Sequence, residues 1–116
     1  MSDVTIDHNH ASGTSRNTLA LLREKGIEPT VVEYLKAGWT RPQIEDILKR
    51  MEAGAQDILR IRGTKADEIG LSDPATSDEA VIAAMIIDPI LVNRPIVVTS
   101  KGAALCRPAE LVLGLI

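Results

Sequence analysis

The chain has 116 residues and a mass of 12.5 kDa, with 45% hydrophobic, 25% charged and 2% aromatic residues, which predicts one small globular domain over residues 1–116. Its formal charge of −3 and pI near 5.3 exclude a generally basic surface, and hence non-specific nucleic-acid binding. The single cysteine, Cys106, excludes an intramolecular disulfide and a thiolate zinc site, and the longest apolar run, 80–87, is far shorter than the ~20 residues of a membrane span. We therefore expect a cytoplasmic protein that binds neither nucleic acid nor membranes.

The first third of the chain has the pattern of a strand, a polar loop, a helix and a second strand. Residues 4–6 are short and β-branched, as is typical of a strand. Thr14 or Ser15 is expected to cap a helix that ends at Gly26, because glycine favours helix C-termini. A second strand is predicted over 30–35, and the helix between the strands is long enough for a right-handed crossover. The two strands should therefore be parallel.

Helical patterns dominate the middle of the chain. Thr40 followed by Pro42 is typical of a helix start, and the apolar residues after it recur at helical spacing. Thr76 and Glu79 have the spacing of a capping box ahead of another apolar run. Two helices are therefore predicted, with shorter helical turns between them. The four stretches are 40–54, 55–62, 65–71 and 77–87.

The C-terminal part is predicted to form an antiparallel hairpin and a last helix. Residues 95–99 are the most strand-like run of the chain, and 100–102 suit a turn into a second strand over 103–106. Pro108 suits the first turn of a helix, which is predicted to begin within 107–110. The chain order is therefore β-α-β, then helices, then β-β-α, and it predicts an α/β fold with a mixed sheet.

The polar loop at 8–17 has features of an anion site. Small residues let backbone N–H groups approach a ligand, and the N-terminus of the following helix favours negative charge. His8 could orient a ligand there or tune a nucleophile. A capped loop without a ligand explains the same residues, since the loop matches neither a P-loop nor a dinucleotide-binding motif. The residues alone leave both interpretations open.

Three arginines, Arg60, Arg94 and Arg107, stand out by their context. Arg94 and Arg107 flank the predicted hairpin, so its closure should place these strand ends side by side and bring the two guanidinium groups together. Like charges gain from such proximity when an anion lies between them, and the planar guanidinium suits tetrahedral oxyanions. The alternative is that all three are solvated surface residues.

Cys106 is a candidate nucleophile on the same hairpin, because the neighbouring Arg107 would lower the pKa of its thiol. Side chains alternate along a strand, however, which places Cys106 on the face opposite Arg107. A cysteine in that position is more often a core residue. The sequence therefore favours a buried, structural thiol.

Two blocks of residues carry a resemblance to a known family. The first joins His8 and Asn9 to Gly-Thr-Ser-Arg-Asn-Thr at 13–18, and the second joins Asn-Arg-Pro-Ile-Val-Val at 93–98 to Leu-Cys-Arg-Pro at 105–108. With both blocks in the expected order, residues 4–110 resemble the glutaredoxin-dependent arsenate reductases of the thioredoxin-fold superfamily.

The resemblance implies a particular version of the α/β fold. It is a thioredoxin-like mixed sheet with a helical insertion at about 40–90, and the peptide bond before Pro95, at the start of the third strand, is expected to be cis. The family usually has a further C-terminal stretch beyond the last helix. We therefore expect this sequence to be truncated there.

The family's loop pattern, H-N-x-x-C-G-T-S-R-N, assigns roles to residues of this chain. By that match Ser12 occupies the position of the nucleophilic cysteine, and His8 and Ser15 fall where the family lowers the pKa of the thiolate. The arginines that bind arsenate and its reduced product match three positions, and the loop supplies further contacts. The implied substrate-binding residues are Arg60, Arg94, Arg107, Gly13, Thr14 and Arg16.

The resemblance also implies a reaction cycle that depends on sulfur. A cysteine thiolate attacks arsenate, glutathione attacks the arsenylated enzyme so that arsenic leaves in its reduced form, and glutaredoxin clears the resulting glutathione–enzyme disulfide. Glutathione is then a co-substrate and glutaredoxin a partner. We expect no bound cofactor, no metal and a monomeric protein.

Three residues near the loop depart from the family pattern. Ser12 cannot form the disulfide that the cycle needs, so the chain is predicted to bind the oxyanion without reducing it. Asp7 and His10 stand where the family more often has an aromatic residue and a proline, and a charge on Asp7 should weaken anion binding. The sequence is consistent with an inactive variant of an active parent, with an oxyanion-binding pseudoenzyme, and with a transcription-associated regulator of the same superfamily. That last branch usually carries a C-x-x-C pair, which this chain lacks.

Overall fold

A four-stranded sheet and the helices that flank it organise one part of the molecule, and helices organise the other. The computed structural model describes residues 3–116, which divide into two compact units. The first comprises the chain up to Ala37 and from Arg94 onward, and the second is Gly38–Asn93. Among the described residues, none of the helices combines the length and apolar character that crossing a membrane requires.

The sheet belongs to the first unit and has the strand order β2-β1-β3-β4. Strand β1 (Thr5–His8) pairs in parallel with β2 (Thr30–Glu33) and antiparallel with β3 (Ile96–Thr99). Strand β3 forms an antiparallel hairpin with β4 (Gly102–Leu105). The predicted α/β fold, its parallel first pair and its C-terminal hairpin are therefore confirmed.

Helix α1 (Gly13–Glu24) connects β1 to β2. Its N-cap is Ser12 rather than the predicted Thr14 or Ser15, because Ser12 has an extended backbone (φ −90°, ψ 123°) and its hydroxyl oxygen accepts the backbone N–H of Ser15 at 3.3 Å. The helix ends at Glu24 with Lys25 as its C-cap, and Gly26 directly after the cap takes a left-handed φ of +80° that glycine adopts readily. Ser12 is thus placed at the point where the loop enters the helix.

The core of the first unit joins the sheet to α1 and to a C-terminal 3-10 helix (Ala109–Leu115). Pro108 has an extended backbone and is the N-cap of this last element. The element is a 3-10 helix and not the α-helix that the sequence predicts. Burial of each large aliphatic side chain contributes about 1.5–3 kcal/mol to the free energy of unfolding. The buried members of the core are Val4, Ile6, Leu22, Val97, Cys106 and Val112.

The second unit contains helices α3 (Arg41–Met51) and α4 (Asp78–Ile87), which pack against each other. Helix α3 begins as predicted, since the Thr40 hydroxyl accepts the Gln43 N–H and the Gln43 side chain accepts the Thr40 N–H in a capping box. Two short 3-10 helices, Ala55–Ile58 and Pro89–Leu91, accompany them. The buried side chains of α3 and α4 are Ile44, Ile47, Leu48, Val81, Ile82 and Met85.

The predicted strand over 30–35 is too long. Strand β2 ends at Glu33, and a short helix α2 (Tyr34–Ala37) follows, with Tyr34 fully buried. The periodicity of a short apolar run does not show whether the run forms a strand or a helix. Here the packing of the buried Tyr34 favours a helix after Glu33.

Two predictions around Gly70 are also wrong. Residues 65–71 form turns instead of a helix, since Gly70 has a left-handed φ of +77°, which interrupts right-handed helix. Helix α4 is capped by Ser77, whereas the Thr76 hydroxyl donates to the Gly70 carbonyl at 2.7 Å. The capping box predicted for Thr76 and Glu79 therefore does not form.

Candidate functional site

A buried hydrogen bond joins His8, at the end of β1, to Ser15, in the first turn of α1. The distance between His8 Nδ1 and Ser15 Oγ is 2.7 Å, and Ser15 is fully buried. The same oxygen accepts the backbone N–H of Asn9 at 3.1 Å, which leaves the hydroxyl proton available to His8 Nδ1. The end of the strand and the start of the helix are therefore locked to each other.

The imidazole of His8 is neutral at pH 7. Burial lowers the pKa of His8 below its ordinary value of 6.5. The carboxylate of Glu33 opposes this shift, and electrostatic interactions with His10, Arg23 and Arg16 lower the pKa further. A neutral ring can accept the Ser15 hydroxyl proton at Nδ1. His8 thus acts on the loop through a hydrogen bond and not as a fixed positive charge.

Replacing Ser15 tests this link. Ser15→Ala leaves the Asn9 N–H and His8 Nδ1 without their shared partner, so we expect the free energy of unfolding to fall by about 1–3 kcal/mol. Urea unfolding measures the loss, with Ser100→Ala at an exposed position of the hairpin turn as the matched control. Equal stabilities of the two variants would contradict the account.

Ser12 is held in a tight turn at the N-terminus of α1. Its backbone N–H donates to the Asn9 carbonyl at 3.0 Å, and the Asn9 side chain accepts the N–H of Ala11 at 3.0 Å. The Ser12 carbonyl accepts the N–H of Arg16 as the first bond of the helix, at 3.0 Å. Ser12 is buried. Its hydroxyl lies at the positive end of the helix dipole, where a thiolate or an oxyanion is stabilised.

The Arg16 side chain folds back over this loop. Its Nη1 donates to the His10 carbonyl at 2.8 Å, and its Nη2 lies 3.7 Å from the position that a Cβ on Gly13 would take. The His10 ring in turn contacts Glu33 at the end of β2, with 3.1 Å between Nδ1 and Oε1. Gly13, Thr14 and Arg16 therefore lie together in the first turn of α1, as their positions in the loop pattern imply.

The two strand ends of the hairpin place Arg94 beside Arg107. The Cys106 N–H donates to the Pro95 carbonyl at 2.9 Å, and Arg107 Nη1 donates to the Arg94 carbonyl at 3.0 Å. The Arg94–Pro95 and Arg107–Pro108 peptide bonds are both cis. The prediction that hairpin closure places these two residues side by side is therefore confirmed, through the Arg107 guanidinium and the backbone of Arg94, and the meeting of the two guanidinium groups stays a prediction.

Arg60 belongs to the second unit and is half-buried there. Its Nε donates to the Arg62 carbonyl at 3.0 Å, and its Nη1 donates to Oδ1 of Asn93 at 3.3 Å. Reasoning from the sequence did not assign a role to Asn93. The available signal was its place in the motif block that begins directly before Arg94.

Cys106 lies in the core of the first unit and is fully buried. Burial raises the pKa of its thiol from 9.0 to about 12, so the expectation that Arg107 lowers this pKa is wrong. A thiol that stays protonated in an apolar core is a poor nucleophile. The predicted structural role of Cys106 therefore agrees with its surroundings.

Asp7 is the buried carboxyl of β1, with 7% of its surface exposed. Its partners in the neighbouring strands are Val32 and Ile96, both apolar. Burial raises the pKa of Asp7 from 3.8 to about 7, so this carboxyl is only partly ionised at neutral pH. The expectation of a full negative charge beside the loop is therefore corrected.

Comparison with known proteins places these residues in one family. The profile of the ArsC family matches residues 8–115. The chain belongs to the ArsC family. An arsenate reductase of Rhizobium meliloti (strain 1021) is 50% identical over 113 residues, which cover 97% of this ArsC-family chain and 81% of the relative. An arsenate reductase of Escherichia coli (strain K12) is 44% identical over 113 residues, covering 97% and 80%.

Solved structures agree with the family assignment. A structure described as an arsenate reductase from Vibrio cholerae superposes on this ArsC-family chain with a TM-score of 0.91 at 35% identity, covering 97% of both chains. The thioredoxin-like fold that the resemblance implies is therefore confirmed.

Proposed function

We propose that this chain is an arsenate reductase domain whose chemical step is impaired because Ser12 stands at the position of the nucleophilic cysteine. Identity of 50% and 44% to two arsenate reductases supports the activity class, an oxidoreductase that converts arsenate to arsenite in arsenic detoxification. The observation that carries the proposal is the position of Ser12, buried and at the N-terminus of α1, beside the His8–Ser15 pair. That environment stabilises a thiolate in proteins that have a cysteine there.

The remaining site residues keep the roles that the family resemblance gives them, and their chemistry suits those roles. Arg60, Arg94 and Arg107 would neutralise the oxyanion and the charge that develops on it, because guanidinium groups bind tetrahedral oxyanions through paired N–H donors. Gly13, Thr14 and Arg16 would contribute the donors of the first helical turn. His8 and Ser15 would set the local hydrogen bonding around the nucleophile position.

Reduction of arsenate needs sulfur twice. A thiolate displaces an oxygen from arsenic(V), and attack by glutathione on the enzyme sulfur then forms an S–S bond while two electrons pass to arsenic, which leaves in its reduced form. Glutaredoxin restores the thiol. A serine oxygen cannot form that S–S bond, so electron transfer stops even if the oxyanion binds.

The cycle needs a thiol co-substrate and a protein that restores the enzyme thiol. Glutathione is the co-substrate and glutaredoxin the protein partner, both of the kind found in a reducing cytoplasm, and the domain acts as a monomer. A second candidate function is an oxyanion-binding pseudoenzyme. Ser12 favours it, because the loop keeps its N-cap geometry while lacking the thiol.

Oxyanion binding tests the proposed roles of the three arginines directly. Calorimetric titration with arsenate, sulfate and phosphate should show affinity that falls on Arg60→Ala, Arg94→Ala or Arg107→Ala, by roughly 10- to 150-fold each if a charge-assisted contact of about 1.5–3 kcal/mol is lost. Arg50→Ala, at an exposed arginine paired with Asp46 on α3, is the control and should bind as the parent does. An oxyanion affinity that is unchanged in all three site variants would contradict the proposed roles of these arginines.

A further inference from the structure

Arg60 and Asn93 directly follow the two residues of an isolated antiparallel bridge, Leu59 and Val92, so they are diagonal neighbours although they are far apart in the sequence. The Arg60 N–H donates to the Leu91 carbonyl at 2.7 Å, and the Asn93 N–H donates to the Ile58 carbonyl at 2.8 Å. These backbone bonds fix the separation of the two residues without help from either side chain. The side-chain contact between them is therefore an additional feature of the site.

The guanidinium of Arg60 is held at two of its nitrogens. Nε donates to the Arg62 carbonyl at 3.0 Å, and Nη1 donates to Oδ1 of Asn93 at 3.3 Å. The group is planar and rigid, so contacts at Nε and Nη1 together define the plane in which its remaining N–H bonds point. Arginine has only donors, which also fixes the side-chain amide of Asn93 with its oxygen toward Arg60.

The chemistry of the two acceptors suits an arginine that binds an anion. Both of these oxygens are neutral amide oxygens, so neither contact itself offsets the positive charge of the guanidinium. A carboxylate at position 93 would orient the group equally well but would neutralise the charge that an oxyanion needs.

We infer that Asn93 is a positioning residue for Arg60, whose guanidinium it holds in the orientation that receives the oxyanion. The inference rests on the proposed role of Arg60 in oxyanion binding. Asn93 directly precedes Arg94 in the chain. This segment therefore carries one of the three arginines proposed to bind the oxyanion, Arg94, and positions a second one, Arg60.

A four-protein cycle tests the inference with arsenate as the probe. Asn93→Ala keeps the backbone bridge and removes only the amide, so it should weaken arsenate binding by roughly 2- to 13-fold, the equivalent of one hydrogen bond. In an Arg60→Ala background the same change should have no further effect, since a residue that acts through Arg60 has nothing left to position. Asn93→Asp should retain the orientation and still bind arsenate more weakly, because its charge offsets that of Arg60.

The orientation has its own readout in the protein without arsenate. The Nε–Hε resonance of Arg60, assigned by its loss in Arg60→Ala, should shift and broaden in Asn93→Ala and stay close to its original position in Asn93→Asp. Backbone amide spectra of the variants confirm that the fold is retained. A purely structural role for Asn93 would leave this resonance where it is.

The outcomes separate failure of the inference from failure of the proposed function. Arsenate affinity that falls on Arg60→Ala, with equal losses from Asn93→Ala in both backgrounds, would overturn the positioning role alone. Unchanged affinity in Arg60→Ala would overturn the role of Arg60 in the proposed function, and the inference with it. Loss in each single variant and no added loss in the double variant supports both.

Discussion

Ser12→Cys should gain glutathione- and glutaredoxin-coupled arsenate reduction that the parent chain lacks. The new thiol would stand at the N-terminus of α1, where the helix dipole and backbone N–H groups favour a thiolate. It would also supply the sulfur for the S–S bond of the cycle. Nucleophiles that act within a catalytic unit account for roughly 10⁴-fold or more in rate, so the gain over the parent should be of that order.

The coupled assay, followed by NADPH consumption with glutathione, glutaredoxin and glutathione reductase, measures this gain. The matched control carries Ser12→Cys together with Cys106→Ala and should keep the activity, because the Cys106 thiol is buried and stays protonated. A folded Ser12→Cys variant with no activity would contradict the proposed function and favour the oxyanion-binding pseudoenzyme.

Asp7→Asn should stabilise the protein above pH 7 and change it little near pH 4. The pKa of Asp7 is about 7 in the folded protein and near 3.8 when the chain is unfolded, so the folded state holds the proton more tightly. The stabilisation from that proton is fully present below pH 3.8 and is lost as pH rises toward 7. The difference corresponds to about 4 kcal/mol. An asparagine has no proton to lose, so the variant should avoid the whole loss.

Urea unfolding of parent and variant at intervals from pH 4 to pH 8 measures the effect. The difference between the two free energies of unfolding isolates Asp7, since every other titrating group is common to both proteins. Asp3→Asn, at an exposed carboxyl, is the matched control for the removal of one carboxyl group. A difference in the free energy of unfolding that stays constant with pH for Asp7→Asn would show that its carboxyl is not held neutral in the folded state.

The topology of the sheet could be predicted from the sequence because it depends on patterns that are local in the chain. The β-branched runs, the crossover helix ended by Gly26 and the Ser100–Lys101 turn indicate the parallel pair and the hairpin. The hairpin alone also predicts that Arg94 lies beside Arg107, as the structure shows. These features need only hydrophobic period, turn chemistry and strand register.

The features that the sequence did not reveal depend on tertiary packing. Ser12 competes with Thr14 and Ser15 as a helix cap, and it is the N-cap because the Ser15 hydroxyl is taken by His8 and Asn9. The burial of Asp7 depends on apolar residues of two neighbouring strands, which come from distant parts of the chain.

The contact between Arg60 and Asn93 depends on a bridge between two loops that no local pattern marks. The roles assigned to Arg60, Arg94 and Arg107 come from the family resemblance and stay predictions that the titrations test.

Mass spectrometry of Ser12→Cys shows which residue acts as the nucleophile. After incubation with arsenate and glutathione in the absence of glutaredoxin, peptide mapping should find one glutathione, attached at position 12, and none at Cys106. The parent chain treated in the same way should carry no glutathione. Modification at Cys106, or no modification of a folded variant that binds arsenate, would show that Ser12 does not occupy the nucleophile's position.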